Sequence, residues 1–217
     1  MKTIAILSQK GGSGKTTLAL HLASAATEAG QAVVVIDLDP QSSATTWHTA
    51  RKRAGHDESP HVQPTHPAQL ESLIQACEGQ GVDLVLIDTP PQSDTLATQA
   101  AQLADLVLIP CKPSVMDLRA VHSTLRLTEI ANVEPFIVLM EIEPVGTRHA
   151  EAAATLKHLK VSVLPVGTGR RVAYKDALVD GLTAIEYEPQ GKAANEARAL
   201  HKEVQRRLKT KKKARAA

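Results

Sequence analysis

The chain has 217 residues, a formal net charge of +2, 43% hydrophobic and 22% charged residues, and only four aromatic side chains. That length fits one α/β domain burying roughly 70% of its unfolded surface, and so few rings exclude an aromatic platform for single-stranded nucleic acid. Two isolated cysteines, Cys77 and Cys111, and no H-E-x-x-H or paired Cys/His spacing exclude a disulfide framework and give no metal site made of protein ligands.

The first element is the run "TIAIL" (3–7), a predicted strand. It leads into "QKGGSGKTTL" and then into a helical pattern over 16–29. Strand, glycine turn and helix in that order form the context that a phosphate-binding loop requires. Gly11, Gly12 and Gly14 lack a Cβ, so the amides of the turn, Ser13 included, can close on phosphate oxygens. The helix N-terminus adds unpaired N–H groups and the positive end of its dipole. Lys15 is expected to reach the β/γ-phosphates, Thr16 to place its hydroxyl on Mg²⁺, and Thr17 to meet the α-phosphate. The usual G-x-x-x-x-G-K-[ST] pattern fails by one residue, because its first glycine would fall on Gln9. In its place stands K-G-G-x-G-K-T-T, with a second lysine, Lys10, at the front.

Farther along, "AVVVIDL" (32–38) and "DLVLIDT" (83–89) are continuous apolar runs. Such runs read as parallel strands covered on both faces. They end on Asp37, Asp39 and Asp88, at the carboxyl edge where an open α/β sheet binds its ligand. Thr16, Asp39 and Asp88 are therefore the candidate metal holders, since Mg²⁺ takes hard oxygen ligands. Between these strands, "GHDESPHVQPTHP" (55–67) reads as a long surface loop in which His61 and His66 are solvated. Further strands are predicted at 105–110, 136–140 and 161–166, with helices at 67–78, 95–103, 115–131 and 148–159. The alternation predicts a doubly wound, mostly parallel sheet flanked by helices, a P-loop NTPase fold in a single domain over 1–208. From Pro189 onward one helix is expected to run out into "KTKKKARAA", with residues 209–217 a basic tail whose last residues are disordered. From His201 onward the chain holds eight basic residues and one acid, against 17 basic and 22 acidic before it, which suggests a polyanionic partner.

"KGGSGKTT", "DLDPQ", "LVLIDTPP" and "LVLIPCKPSVMDL" together resemble the ParA/MinD group of deviant Walker ATPases. Within it the chain looks like the small ParA-type partition proteins that lack an N-terminal helix-turn-helix domain. The resemblance implies ATP with Mg²⁺ as cofactors and a homodimer that forms on ATP binding. It also implies that Lys10 crosses to the partner's phosphates while Lys15 serves its own nucleotide. Asp39 would position the attacking water, and Asp88 would be linked to Mg²⁺. Pro113 in "IPCKPSVMD" would help wall the base pocket. Relatives often carry an asparagine after the fifth of these runs, where Met140 and Glu141 stand here. Arg170, Arg171, Lys175, Arg206 and Arg207 match the basic region that holds DNA without sequence preference. The activity implied is DNA segregation by a weak ATPase stimulated by a ParB-like centromere-binding adaptor, in the cytoplasm at the nucleoid. The alternative is a relative that positions a protein complex. A metabolic enzyme of the dethiobiotin synthetase kind fits less well, because of Lys10 and "DPQ". A membrane anchor is not expected, since only Val204 and Leu208 are bulky and apolar beyond Lys202.

Overall fold

The structure is a computed structural model that describes the backbone of residues 1–215 and the side chains of residues 1–210. Seven strands, β1 (Lys2–Ile6), β2 (Val33–Asp37), β3 (His61–Pro64), β4 (Leu84–Asp88), β5 (Leu106–Cys111), β6 (Pro135–Leu139) and β7 (Ser162–Val163), form one sheet. Its order is β3-β2-β4-β1-β5-β6-β7, and every pairing is parallel. The helices are α1 (Lys15–Glu28), α2 (Ser43–Arg53), α3 (Leu70–Gly79), α4 (Asp94–Leu103), α5 (Val115–Ile130), α6 (Arg148–His158), α7 (Ala173–Val179), α8 (Ala184–Tyr187) and α9 (Lys192–Arg215).

The continuous apolar strands are explained by two cores. Ile4, Ile6, Leu84, Leu86, Leu106 and Leu108 face one side, against Leu18 and Leu22 of α1 and Leu200, Val204 and Leu208 of α9. Their sequence neighbours Ala5, Val85, Ile87, Val107 and Ile109 face the other side, against α4, α5 and α6. Successive strand residues point to opposite faces, so a strand buried on both must be apolar throughout.

Two expectations need correction. The 55–67 segment is not all loop: residues 61–64 form β3, which pairs with β2 in the register Val34↔His61 to Asp37↔Pro64. Its sequence hides this, because an edge strand tolerates proline and exposes most of its side chains. Helix α2 (43–53) was also missed, since its mostly polar sequence carries little periodicity. It is fixed by contacts distant in sequence. Trp47 Nε1 donates to the Leu182 carbonyl at 2.9 Å, and the buried Arg51 donates to Gly181 O at 3.0 Å and to Glu186 at 2.6 Å. The helix expected from Pro189 outward is α9, whose described backbone reaches Arg215; Ala216 and Ala217, part of the expected tail, lie outside the described residues.

Candidate functional site

The crevice lies at the carboxyl edge of β1, β2 and β4, where β1 feeds the glycine turn and the turn feeds α1. Gly12 at φ 71° and Gly14 at φ 100° hold left-handed backbone that a side chain would strain. At Gly14 a Cβ would also come within 3.2 Å of the Met140 side chain. These two turns reverse the chain so tightly that the amides before α1 gather at one mouth. A cleft of about 560 Å³ opens there, lined by Gly11 through Thr17, by Asp39, and by Lys112, Glu141 and Lys175.

The side chains inside are set for a charged ligand. Thr16 Oγ1 donates to Asp88 Oδ2 at 2.6 Å. The other oxygen, Asp88 Oδ1, is buried with no partner, as is Ser13 Oγ. Burial pushes the Asp88 carboxyl up to about 7, with Asp37 and Asp39 adding to the rise and the Thr16 bond opposing it. A buried carboxylate with an orphan oxygen beside a hydroxyl is a set of hard oxygen donors short of a cation, and the residues fit Mg²⁺. Lys15 is buried and donates to Ser8 O at 3.3 Å; desolvation lowers its pKa while Asp88 and Asp39 work to raise it.

The three aspartates divide their work. Asp39 lies on the cleft with Oδ1 accepting from Gln41 N at 2.9 Å. Asp37 is structural: Oδ2 accepts from both the backbone N and the hydroxyl of Thr45 at 2.9 and 2.8 Å, which ties β2 to the first turn of α2. The front lysine stands apart. Lys10 does not line the cleft, and its Nζ pairs at 2.7 Å with the buried Asp117 in the first turn of α5.

Beside the phosphate cleft, a cavity of about 380 Å³ is bounded by Gly14, Thr17, Met140, Glu141 and the stretch from Thr168 to Asp176. The cavity is more apolar than polar and large enough for a nucleobase. Pro113, expected on this wall, instead lines a separate groove between α5 and α6. Its neighbour Lys112 turns to the phosphate cleft and pairs with Glu141 at 3.1 Å. The wall is built by "TGRRVAYKD", which spacing could not reveal because only the fold brings 168–176 against residue 14. The sequence also gave no sign of His21. Fully buried in α1, it receives the Ala184 N–H at Nε2 (3.1 Å), so Nδ1 carries the proton donated to Thr17 O at 2.8 Å. Burial pushes its pKa down to about 4.

The five predicted DNA contacts do not form one patch. Arg171 is occupied twice over by Glu196 Oε1, at 2.8 and 2.6 Å, while Glu196 Oε2 accepts from Gly169 N. That fork ties the loop to α9 and is a structural role. Arg206 and Arg207 both pair with Glu203 at 2.7 Å, and Arg207 also stacks 4.9 Å from the Phe136 ring. Phe136 lies near the start of β6, whereas Arg170 bonds Ile142 beyond its end. Arg170 and Lys175 remain the freer cations, 69% and 74% exposed, with ion pairs of only 3.6 and 3.7 Å.

Comparison with known proteins agrees with this geometry. Residues 4–183 match the model of the CobQ/CobB/MinD/ParA nucleotide-binding domain. A protein from Gloeobacter kilaueensis, maintenance of carboxysome distribution protein A, is 33% identical over 211 residues, covering 95% of this chain and 94% of that protein. The protein of the same name from Halothiobacillus neapolitanus is 29% identical over 198 residues, covering 88% of this chain and 90% of that one. Among solved structures, the septum site-determining protein MinD of Pyrococcus horikoshii, complexed with Mg-ADP, superimposes with a TM-score of 0.74 at 20% identity, covering 97% and 98% of the two chains.

Proposed function

The chain belongs to the CobQ/CobB/MinD/ParA nucleotide-binding family, and we propose that it is a Mg²⁺-dependent ATPase whose ATP-bound homodimer distributes a large protein assembly within the cell. DNA segregation was the first expectation from the sequence and positioning of a protein complex the alternative; the near-complete match to carboxysome distribution proteins favours the alternative. Sequence motifs shared by both groups could not separate them.

The observation that carries the reading is the division of the two lysines. Lys15 lines its own cleft, and Lys10 is placed outside it on Asp117. In this proposal Lys10 leaves Asp117 to meet the γ-phosphate held by a second protomer, so pairing depends on the triphosphate. Developing charge on the transferred phosphoryl group is then met by preorganised cations from both sides. Thr16 and Asp88 would hold Mg²⁺, which would supply neutralisation of phosphate charge. Asp39 orients the attacking water from the cleft wall. The base packs against Met140, and no asparagine is present at that position to read it. An adaptor carried by the cargo stimulates turnover and resets the monomer.

Non-specific DNA is the matrix of this proposal, contacted through phosphates by the exposed Arg170 and Lys175. Such binding weakens steeply between low salt and ~300 mM. The decisive experiment deletes the gene in its host and rescues it with wild type or Lys10→Ala. Uneven distribution of a protein assembly, with DNA inheritance intact and rescue by wild type alone, is the expected result. Loss of plasmid or chromosome inheritance with assemblies still evenly placed would return the reading to DNA segregation.

A further inference from the structure

A second cluster of chemistry lies at the edge of the sheet, away from the crevice. His48 of α2, Glu58 of the connecting segment and His61 at the start of β3 each offer a ligand atom, and the three atoms lie within 4.8 Å of one another. We infer that these three side chains form a binding site for a divalent transition cation of the zinc type, which ties α2 to the edge strand.

The donor set selects the ion. Two imidazoles and one carboxylate suit Zn²⁺, Co²⁺ or Ni²⁺, whereas Mg²⁺ and Ca²⁺ take oxygen alone. Zinc bonds nitrogen and oxygen at about 2.0–2.2 Å, so its tetrahedral ligand atoms sit about 3.4 Å apart. The observed spread closes to that value by rotation of Glu58 and His61, whose side chains are exposed, around a fixed His48. His48 is 7% exposed, and its Nε2 lies 3.0 Å from the Glu58 carbonyl oxygen. The ring is thus anchored by packing and already in register with the segment that carries the carboxylate. The rings of His48 and His61 meet edge to face at 5.4 Å.

One contact competes with the ion. Lys52 Nζ pairs with Glu58 Oε2 at 3.0 Å, with both side chains about half exposed. The carboxylate is therefore held by a monovalent cation that solvent can readily receive. Metal binding would exchange Lys52 for the divalent ion and leave one or more coordination positions to water. The consequence is mechanical. β3 is the outermost strand, paired on one side only with β2, and a bridge from His61 to α2 would close that edge against fraying and against pairing with other chains.

The test uses the full-length, metal-stripped, nucleotide-free protein with Zn²⁺ competed against a chromophoric chelator and with Co²⁺ followed by its d–d absorption. One equivalent per chain, tetrahedral Co²⁺ bands and a higher Tm are expected. His61→Ala and Glu58→Gln, both at exposed positions, should weaken binding by about tenfold or more, while His56→Ala leaves it unchanged. Lys52→Ala should tighten binding, because the competing ammonium is gone. Equal affinity in wild type and His61→Ala, or no saturable binding at ~100 μM free Zn²⁺, would overturn the site. An unchanged affinity in Lys52→Ala would overturn the exchange of cations.

Discussion

Replacing Asp88 by asparagine isolates the cost of holding a carboxylate ready for a cation. Asp88 is fully buried, and its pKa is raised from 3.8 to about 7. The native state therefore holds this proton at pH values where the unfolded chain has lost it. Native protein binds more protons than unfolded between these two values, so the contribution to stability falls as pH rises from about 4 to 7. A shift of roughly 3 units corresponds to about 4 kcal/mol once both states are ionised. Only about 1.5 kcal/mol of this has accumulated at pH 5, so the asparagine variant should gain a further ~3 kcal/mol over wild type between pH 5 and pH 8. Urea unfolding in EDTA without nucleotide measures that gap directly. Adding Mg²⁺ and ATP should reverse the order, stabilising wild type and leaving the variant unmoved. A gap that stays constant from pH 5 to pH 8 would refute the reasoning, because the carboxyl would then titrate normally in the folded chain.

Lys15→Ala should abolish nucleotide binding, whereas Lys10→Ala should bind ATP normally in filtration assays yet sediment as a monomer; an ATP-dependent dimer of the Lys10 variant would remove its assigned role. Asp117→Asn keeps the Ser114 contact but removes the charge that holds Lys10, so dimers should form at lower ATP, while an unchanged midpoint would show that the pair does not restrain the lysine. The imidazole of His21 should titrate near pH 4 by NMR with the proton on Nδ1, and a midpoint above 6 would contradict its burial between Thr17 and Ala184. Gly181→Ala should cost about 2–4 kcal/mol in urea melts, because φ is 71° and a Cβ would stand 2.3 Å from the Arg51 nitrogen; a neutral substitution would mean that α2 can shift freely.

The phosphate site was legible because its information is local. A strand, two left-handed glycines, Lys15 and Thr16 all fall within residues 2–16, and backbone geometry over so short a span follows from residue type. The aspartates were legible for a related reason, since a buried parallel strand announces where it ends. Helix α2 and strand β3 were not. Each is mostly polar on the page and is held by partners more than a hundred residues away or by the neighbouring strand, as Trp47 is by Leu182 and Val62 by Val35. Arg171 illustrates the opposite error: a cation in a basic run reads as free until the fold brings Glu196 across to it.

Composition and motif alone thus determined a two-sided parallel sheet and a loop for nucleotide phosphates, because apolar continuity and glycine turns act over a few residues. Tertiary structure alone decided which cations are free, which residues wall the cavity beside the phosphate cleft, that Lys10 rests on Asp117, and that His48, Glu58 and His61 stand together. Those are distances between side chains whose separation along the chain carries no period. Only the packing of helices on the sheet sets them.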